Sequence, residues 1–275
     1  MRYGLIGEKL GHSYSKIIHE KLANYTYDLI PLSKEEFPLF MEKKEFAAIN
    51  VTIPYKKAVI PYLDELHPLA KEIGAVNTIV NKQGHYIGYN TDFYGFEYML
   101  RHNQIELQNK KCLVLGGGGT SQTVQAVLKH MGARKIYVVS RNGSSTDLAP
   151  GQLLRPSEDS STNHNETINY ETCYEEHTDA EIIINTTPLG MYPNIDASPL
   201  DLSTFKKCEA VVDAIFNPRR TKLTLQAESL GIQAVTGLEM LVAQAKQAIE
   251  YFLDTTIEDH LIDQTYQELL QQIAP

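Results

Sequence analysis

Short apolar runs alternate with amphipathic stretches along the first hundred residues, which predicts strands separated by helices. Residues 3–6 form an apolar run of strand length. Residues 15–24 put Ile17, Ile18 and Leu22 on one side at helical spacing. Tyr27–Pro31 reads as a second strand, and Ser33 with Glu36 makes a capping box that opens the next helix. Residues 47–52 are strand-like and end at Pro54. Helical stretches are expected over 56–66 and Pro68–Ile73, with Gly74 as a stop. Residues 77–80 and His85–Tyr89 flank a turn containing Gly84 and predict a hairpin. Residues 93–102 read as a helix. Such an order implies a mostly parallel sheet with the hairpin at an antiparallel edge.

The polar stretch 103–110 predicts a domain join. A strand at Lys111–Leu115, a helix at 120–131 and a strand at Lys135–Val139 then make a βαβ unit. Residues 142–169 are rich in Ser, Thr, Asn, Asp and Pro, so an exposed loop or crossover is expected there. Strands follow at 181–185 and 210–215, and a helix at 222–230 stopped by Gly231. Closing helices are expected at 237–253 and 258–273. The fold class is α/β: an N-terminal mixed α/β domain and a Rossmann-type doubly wound dinucleotide-binding domain.

The chain has 275 residues and is 43% hydrophobic, enough to bury a full core. Its formal charge of -9 argues against nucleic acid as a partner, because phosphate binding needs clustered cations. Cys112, Cys173 and Cys208 are scattered, without metal spacing or a disulfide framework, and Cys112 and Cys208, in or beside apolar runs, read as core or inert thiols. The histidines show no metal spacing, so no metal is expected. The N-terminus reads as a strand interrupted by Glu8 and Lys9, not a signal peptide. No apolar run approaches the ~20 residues of a membrane span. A soluble cytoplasmic enzyme is expected.

Candidate chemistry lies in short polar motifs. Gly116, Gly117, Gly118, Gly119 and Thr120 follow an apolar strand and open a helix. Gly116, Gly118 and Ser121 occupy the three positions of G-x-G-x-x-G, with Ser at the third. In a βαβ context this is a pyrophosphate site, where backbone N–H groups and the helix N-terminus face the anion. The second strand ends in Ser140-Arg141-Asn142. No acid stands there to bind a ribose 2′-hydroxyl, and Arg141 suits a 2′-phosphate. Lys56, at a strand exit after Asn50-Val51-Thr52-Ile53-Pro54-Tyr55, has Asp92 as its natural partner. A Lys–carboxylate pair suits general acid–base work beside a carbonyl in hydride transfer. Asp92 equally suits the N-cap of the following helix. Ser13 and Ser15 precede a helix, as caps or as hydroxyls that take a carboxylate. Asn50, Thr52 and Asn77 fit strand ends or a ligand. Gln244 lies on an otherwise apolar helical face, where a buried amide needs partners.

With these motifs in place, the chain resembles the shikimate dehydrogenase family over nearly its whole length. The family's H-S-x-S is His12-Ser13-Tyr14-Ser15, and its N-V-T-x-P-x-K runs from Asn50 to Lys56. Its G-A-V-N-T is Gly74-Ala75-Val76-Asn77-Thr78, and its N-T-D is Asn90-Thr91-Asp92. Its N-x-T-x-x-G-M begins at Asn185, and its G-x-x-M-L-x-x-Q runs from Gly237 to Gln244. The resemblance implies a substrate domain of residues 1–102 with the closing helices of 238–275, and an NADP-binding domain of residues 103–237. It implies reversible NADPH-dependent reduction of 3-dehydroshikimate to shikimate, in aromatic amino-acid biosynthesis, by a monomer or homodimer with no membrane or nucleic-acid partner. Ser13 and Ser15 would hold the carboxylate, with Asn50, Thr52, Asn77, Asp92 and Gln244 around the ring. Lys56 with Asp92 would handle the proton. Asn185, Thr186 and Gly237 would join the glycine loop, Ser140 and Arg141 at the cofactor.

Lys16 stands where the family usually has Pro, Ser145 where a second Arg is expected, and Phe216 where Tyr is common. NADP selection is therefore expected to be on the weak side for the family. Two other readings are a quinate/shikimate dehydrogenase using NAD and a non-catalytic shikimate- or nucleotide-binding regulator. The missing acid after the second strand counts against the first; Lys56 and Asp92 together count against the second.

Overall fold

The computed structural model describes residues 2–11, 13–141, 143 and 165–272. The chain folds into two compact units, Met1–Tyr98 with Glu239–Leu269 and Met99–Leu238 with Leu270–Pro275. The N-terminal elements are β1 (Tyr3–Gly7), α1 (Ser15–Leu22), β2 (Tyr27–Pro31), α2 (Glu36–Lys43), β3 (Ala48–Val51), β4 (Glu65–Leu66), α3 (Pro68–Ile73), β5 (Thr78–Lys82), β6 (His85–Tyr89) and α4 (Thr91–His102). The strands form one sheet in the order β2-β1-β3-β5-β6-β4. β1 pairs parallel with β2 and β3, while β5 is antiparallel to both β3 and β6.

Neighbouring residues of these strands point to opposite faces, and both faces are covered. Ile6, Ile49 and Ile79 enter a core with Phe37, Met41, Phe46 and Val59. Leu5, Ala48 and Val80 enter a second core with Tyr27, Ala248 and Phe252. That is why the strands read as near-continuous apolar runs. The capping box forms as the sequence predicts: the Glu36 N–H donates to Ser33 Oγ (3.2 Å) and the Ser33 N–H to Glu36 Oε2 (2.8 Å). The hairpin also forms, with Gln83 and Gly84 at φ 57° and 91°, the left-handed pair its two-residue turn requires.

The helix expected over 56–66 is absent. Turns cover most of it, with a single 3₁₀ turn at Ile60–Tyr62, and β4 then pairs with β6. Pro61 is the cause: it has no N–H for the Lys57 carbonyl, and its ring would collide with that carbonyl in an α-helix. The Ile60 N–H bonds that carbonyl instead (3.2 Å).

The second unit contains β7 (Lys111–Leu115), α5 (Gly119–His130), β8 (Lys135–Val139), β9 (Glu166–Ile168), α6 (Tyr170–Glu176), β10 (Ile182–Asn185), β11 (Ala210–Asp213), α7 (Lys222–Ser229) and β12 (Gln233–Thr236). Its strands lie in the order β12-β11-β10-β7-β8-β9, and every pairing is parallel. This is the doubly wound order of a dinucleotide-binding fold, with the switch between β7 and β10. α8 (Leu238–Leu253) and α9 (His260–Leu270) close the chain, largely within the first unit. The loop expected over 142–169 holds β9 at its end, because residues 166–168 complete the exposed side of β8. Residues 142 and 144–164 lie outside the described residues. α6 and β12 went unread in the sequence, although Asn169 caps α6 by accepting the Thr172 N–H (2.8 Å).

All three cysteines are buried, and burial pushes their thiols up, that of Cys173 to about 11. Buried thiols raised in this way are poor nucleophiles, in line with the expectation for Cys112 and Cys208.

Asp213 ends β11 fully buried, and burial raises its carboxyl from 3.8 to about 6. Because the folded state holds this proton more tightly than the unfolded chain, the contribution favours folding below about pH 4. It is lost as pH rises through about 6. A shift of this size corresponds to up to about 3 kcal/mol. The stability difference between Asp213→Asn and the parent should therefore move in the variant's favour by roughly that amount between pH 4 and 7, read from urea midpoints. A difference that stays flat with pH would count against this assignment.

Candidate active site

In the first unit the polar motifs follow from topology. β1, β3 and β6 run in the same direction, and β5 runs against them. The exits of β1, β3 and β6 and the entry of β5 therefore share one edge of the sheet. Ser13 and Ser15 follow β1, Thr52 and Lys56 follow β3, Asn77 precedes β5, and Asn90, Thr91 and Asp92 follow β6.

Lys56 Nζ donates to Asp92 Oδ2 at 2.6 Å, with the two side chains 19% and 13% exposed. The Val76 N–H bonds the Lys56 carbonyl (2.8 Å) and fixes that backbone. The N-cap role open to Asp92 belongs to Asn90, whose Oδ1 accepts the Phe93 N–H (3.2 Å) and whose Nδ2 donates to the Ala75 carbonyl (3.0 Å). Asp92 sits instead in the first turn of α4. A negative charge is favoured there by the helix dipole, and its carboxylate remains available to Lys56.

Behind this pair runs a buried chain of hydrogen bonds. The Tyr27 hydroxyl donates to Asn50 Oδ1 (2.7 Å), and Asn50 Nδ2 donates to Thr78 Oγ1 (3.0 Å). The Thr78 hydroxyl reaches Asn77 Oδ1 (3.0 Å), which also accepts the Thr91 N–H (2.7 Å). Asn77 Nδ2 donates to Thr91 Oγ1 (3.0 Å), and Thr91 Oγ1 reaches Gln244 Oε1 (3.3 Å). Asn50 is only 5% exposed, and its amide is fully engaged inside the protein. The structure gives it a bracing position rather than one facing a ligand.

Gln244 lies on α8, its Nε2 donating to the Leu241 carbonyl (2.9 Å). It meets α4 because of Gly95, where a Cβ would stand 2.6 Å from the Met240 carbonyl oxygen and 2.8 Å from Gln244 Cβ. Sequence reasoning passed over Gly95. A glycine inside a helix costs about 1 kcal/mol, which is the signal of a close approach.

Ser13 Oγ accepts the Ser15 N–H (3.3 Å), and Tyr14 holds the N-cap position of α1, so neither serine is the cap residue. Ser15 is its first residue and is buried. Thr52 is half-buried, its N–H bonded to the Ile6 carbonyl (2.9 Å).

In the second unit Gly116 has φ 101°, and a Cβ there would lie 3.0 Å from Thr187 Cγ2 and 3.1 Å from Thr186 Oγ1. Only glycine fits. At Gly118 and Gly119 a Cβ would meet nothing within 4 Å, so the space over the start of α5 is open to a ligand. Ser121, third in the fingerprint, is fully buried and accepts from Gln125 (3.0 Å), as close helix–sheet packing requires. Arg141 is exposed at the exit of β8, and Ser140 Oγ beside it is buried with no partner among the described residues. An open cradle, a buried hydroxyl without a partner among the described residues and an exposed guanidinium fit a phosphorylated dinucleotide.

Asn185 and Thr186 are themselves engaged: Thr186 Oγ1 donates to the Leu115 carbonyl (2.7 Å) and Asn185 Nδ2 to Asp213 (3.0 Å). Gly237 is set by packing, since a Cβ would lie 2.2 Å from the Ala214 carbonyl oxygen.

The chain is similar to known proteins along its length. A family profile described as the shikimate dehydrogenase substrate binding domain matches residues 5–79. A shikimate dehydrogenase (NADP(+)) of Clostridium beijerinckii is 37% identical, over 96% of each chain. A chorismate mutase/shikimate 5-dehydrogenase fusion protein from Clostridium acetobutylicum superposes with a TM-score of 0.87 and 38% identity, covering 98% of this chain and 97% of that one. Shikimate 5-dehydrogenase from Thermus thermophilus, in complex with NADP(H) and shikimate, gives a TM-score of 0.81 at 27% identity over 98% and 99%. With more than a third of its residues shared along almost its full length with a curated member, the chain belongs to the shikimate dehydrogenase family.

Proposed function

We propose that this protein catalyses the reversible reduction of 3-dehydroshikimate to shikimate with NADPH, in cytoplasmic aromatic amino-acid biosynthesis, as a monomer or homodimer. The observation that carries the reading is the Lys56–Asp92 pair at the shared edge of strand exits. Residues 1–102 with 238–275 serve the substrate, and residues 103–237 the cofactor.

NADPH, when bound, supplies the hydride for the ketone carbon. Lys56 Nζ gives a proton to the ketone oxygen as the hydride arrives, and takes it back in the oxidative direction. Asp92 holds that ammonium in place and offsets its charge. Ser13, Ser15 and the N-terminal end of α1 take the substrate carboxylate. Thr52, Asn77 and Gln244 orient the ring hydroxyls, with Asn50 holding Asn77 and Thr78 from behind. The backbone from Gly116 to Thr120 cradles the pyrophosphate. Ser140 and Arg141 take the 2′-phosphate end, where no carboxylate stands to repel it. Asn185, Thr186 and Gly237 shape the backbone around the cofactor rather than reaching it with their side chains.

Shikimate oxidation followed with NADP and with NAD tests the reading directly. Lys56→Ala should lower kcat at least ~100-fold with little change in KM for shikimate, the usual size of an acid–base contribution. A folded variant with near-normal kcat would remove Lys56 from the chemistry.

Arg141→Ala should leave NADH use nearly unchanged and lower kcat/KM for NADPH roughly 10- to 150-fold, the value of a lost charged hydrogen bond. A parent enzyme that prefers NADH would overturn the cofactor assignment and favour the NAD-using quinate/shikimate reading.

A further inference from the structure

A fully buried carboxylate must be held by donors, and those around Asp213 come from three elements. The Ile215 N–H donates to Oδ1 (3.0 Å), the Thr221 hydroxyl at the start of α7 to Oδ2 (2.7 Å), and Asn185 Nδ2 at the end of β10 to Oδ1 (3.0 Å). Asn185 and Asp213 face each other in register at the ends of neighbouring parallel strands.

The Asn185 bond has a consequence beyond the core. A carboxylate can only accept, so Asp213, at a shorter distance than the Leu189 carbonyl that Nδ2 also reaches (3.4 Å), holds the NH₂ end of the Asn185 amide on its side. With Nδ2 turned to Asp213, Asn185 Oδ1 faces the turn after β10 and accepts both the Thr187 N–H (2.9 Å) and the Thr187 hydroxyl (2.7 Å). Thr187 Oγ1 in turn accepts the Leu189 N–H (3.2 Å). A flipped amide would set its NH₂ against the Thr187 N–H, donor against donor. The turn so fixed packs Thr186 and Thr187 against the first glycine of the phosphate loop.

We propose that Asp213 is a positioning residue for the dinucleotide: through Asn185 it fixes the 186–189 turn and with it one wall of the cofactor site. This rests on the proposed cofactor role of the glycine loop. Since β8 takes the adenosine end and β7 the pyrophosphate, the exit of β10, on the other side of β7, serves the nicotinamide end.

Three variants test it: Asp213→Ala, Asp213→Asn and Thr221→Val. NADPH affinity is measured by calorimetry, turnover by steady-state kinetics, and exchange at the Thr187 and Leu189 amides by hydrogen–deuterium exchange. Asp213→Ala should weaken NADPH binding ~10-fold, the scale of one buried hydrogen-bond link. It should also speed exchange at both amides while leaving KM for shikimate unchanged. Asp213→Asn keeps an acceptor toward Asn185 and should restore both. Thr221→Val removes only the α7 link and should lower thermal stability without touching NADPH affinity. If Asp213→Ala does not fold, Asp213→Ser is read the same way, because its hydroxyl stops near the position of the carboxyl carbon.

Unchanged NADPH affinity and exchange in the folded Ala or Ser variant would overturn the proposal. So would a Thr221→Val variant that loses affinity equally, since Asp213 would then act only through general stability. A parent that binds NADPH but does not oxidise shikimate would defeat the functional reading alone, and the exchange and affinity data would still decide the role of Asp213.

Discussion

A buried amide must find its hydrogen-bond partners inside the protein, and this constraint organises both units. Asn50 links Tyr27 to Thr78; Asn77 links Thr78 to Thr91; Asn90 links Ala75 to the start of α4. Each carries a donor and an acceptor on one short side chain, so each can join two strand ends that backbone pairing alone leaves free. Removing one member of such a network leaves its neighbours unsatisfied, which costs more than the bond itself was worth. The Lys56–Asp92 pair lies beside this network: the Val76 N–H holds the Lys56 carbonyl, and the Thr91 N–H, one residue before Asp92, bonds Asn77 Oδ1.

Asn185 repeats the device in the second unit. It bridges Asp213 and Thr187 as Asn77 bridges Thr78 and Thr91. In both units these asparagines stand at the ends of strands, where the ladder stops and backbone groups need new partners. An asparagine at the last ladder position or just beyond it supplies them.

What the sequence made legible follows from range. Local signals were readable: the Ser33–Glu36 box, the Gln83-Gly84 turn and the glycine run after an apolar strand each act within a few residues. Lys56 and Asp92 were readable as a candidate pair, because residue type and strand-end position restrict what they can do. Their 2.6 Å contact depends on the direction of β3 against β6, which a single chain does not display. The same limit hid β9 and β12, edge strands whose identity comes from the neighbours they complete. It also hid the surroundings of Asn50 and Asn77. Both look alike as strand-end amides, and the fold encloses each, Asn50 between Tyr27 and Thr78 and Asn77 between Thr78 and Thr91. The N-cap role open to Asp92 fell to Asn90 for a local reason: either residue type suits an N-cap, and the one preceding the helix takes it.

Lys16 shows how one substitution can serve stability and site geometry together. A proline at this point of α1, as the family usually has, would fix the first turn through its own ring. Here the first turn is held from outside. Lys16 Nζ donates to the Tyr27 carbonyl (2.8 Å), Glu20 accepts the Tyr27 N–H (2.9 Å), and the two side chains pair with each other one turn apart on α1. Tyr27 belongs to β2, the outer strand of its sheet, so both bonds cover backbone groups that would otherwise offer an edge to another chain. An exposed ion pair alone is worth little. Two backbone hydrogen bonds with defined geometry are worth more, and they fix α1 against the sheet. Because Ser13 and Ser15 stand at the start of that helix, the clasp that closes the sheet edge also sets where a carboxylate would be received.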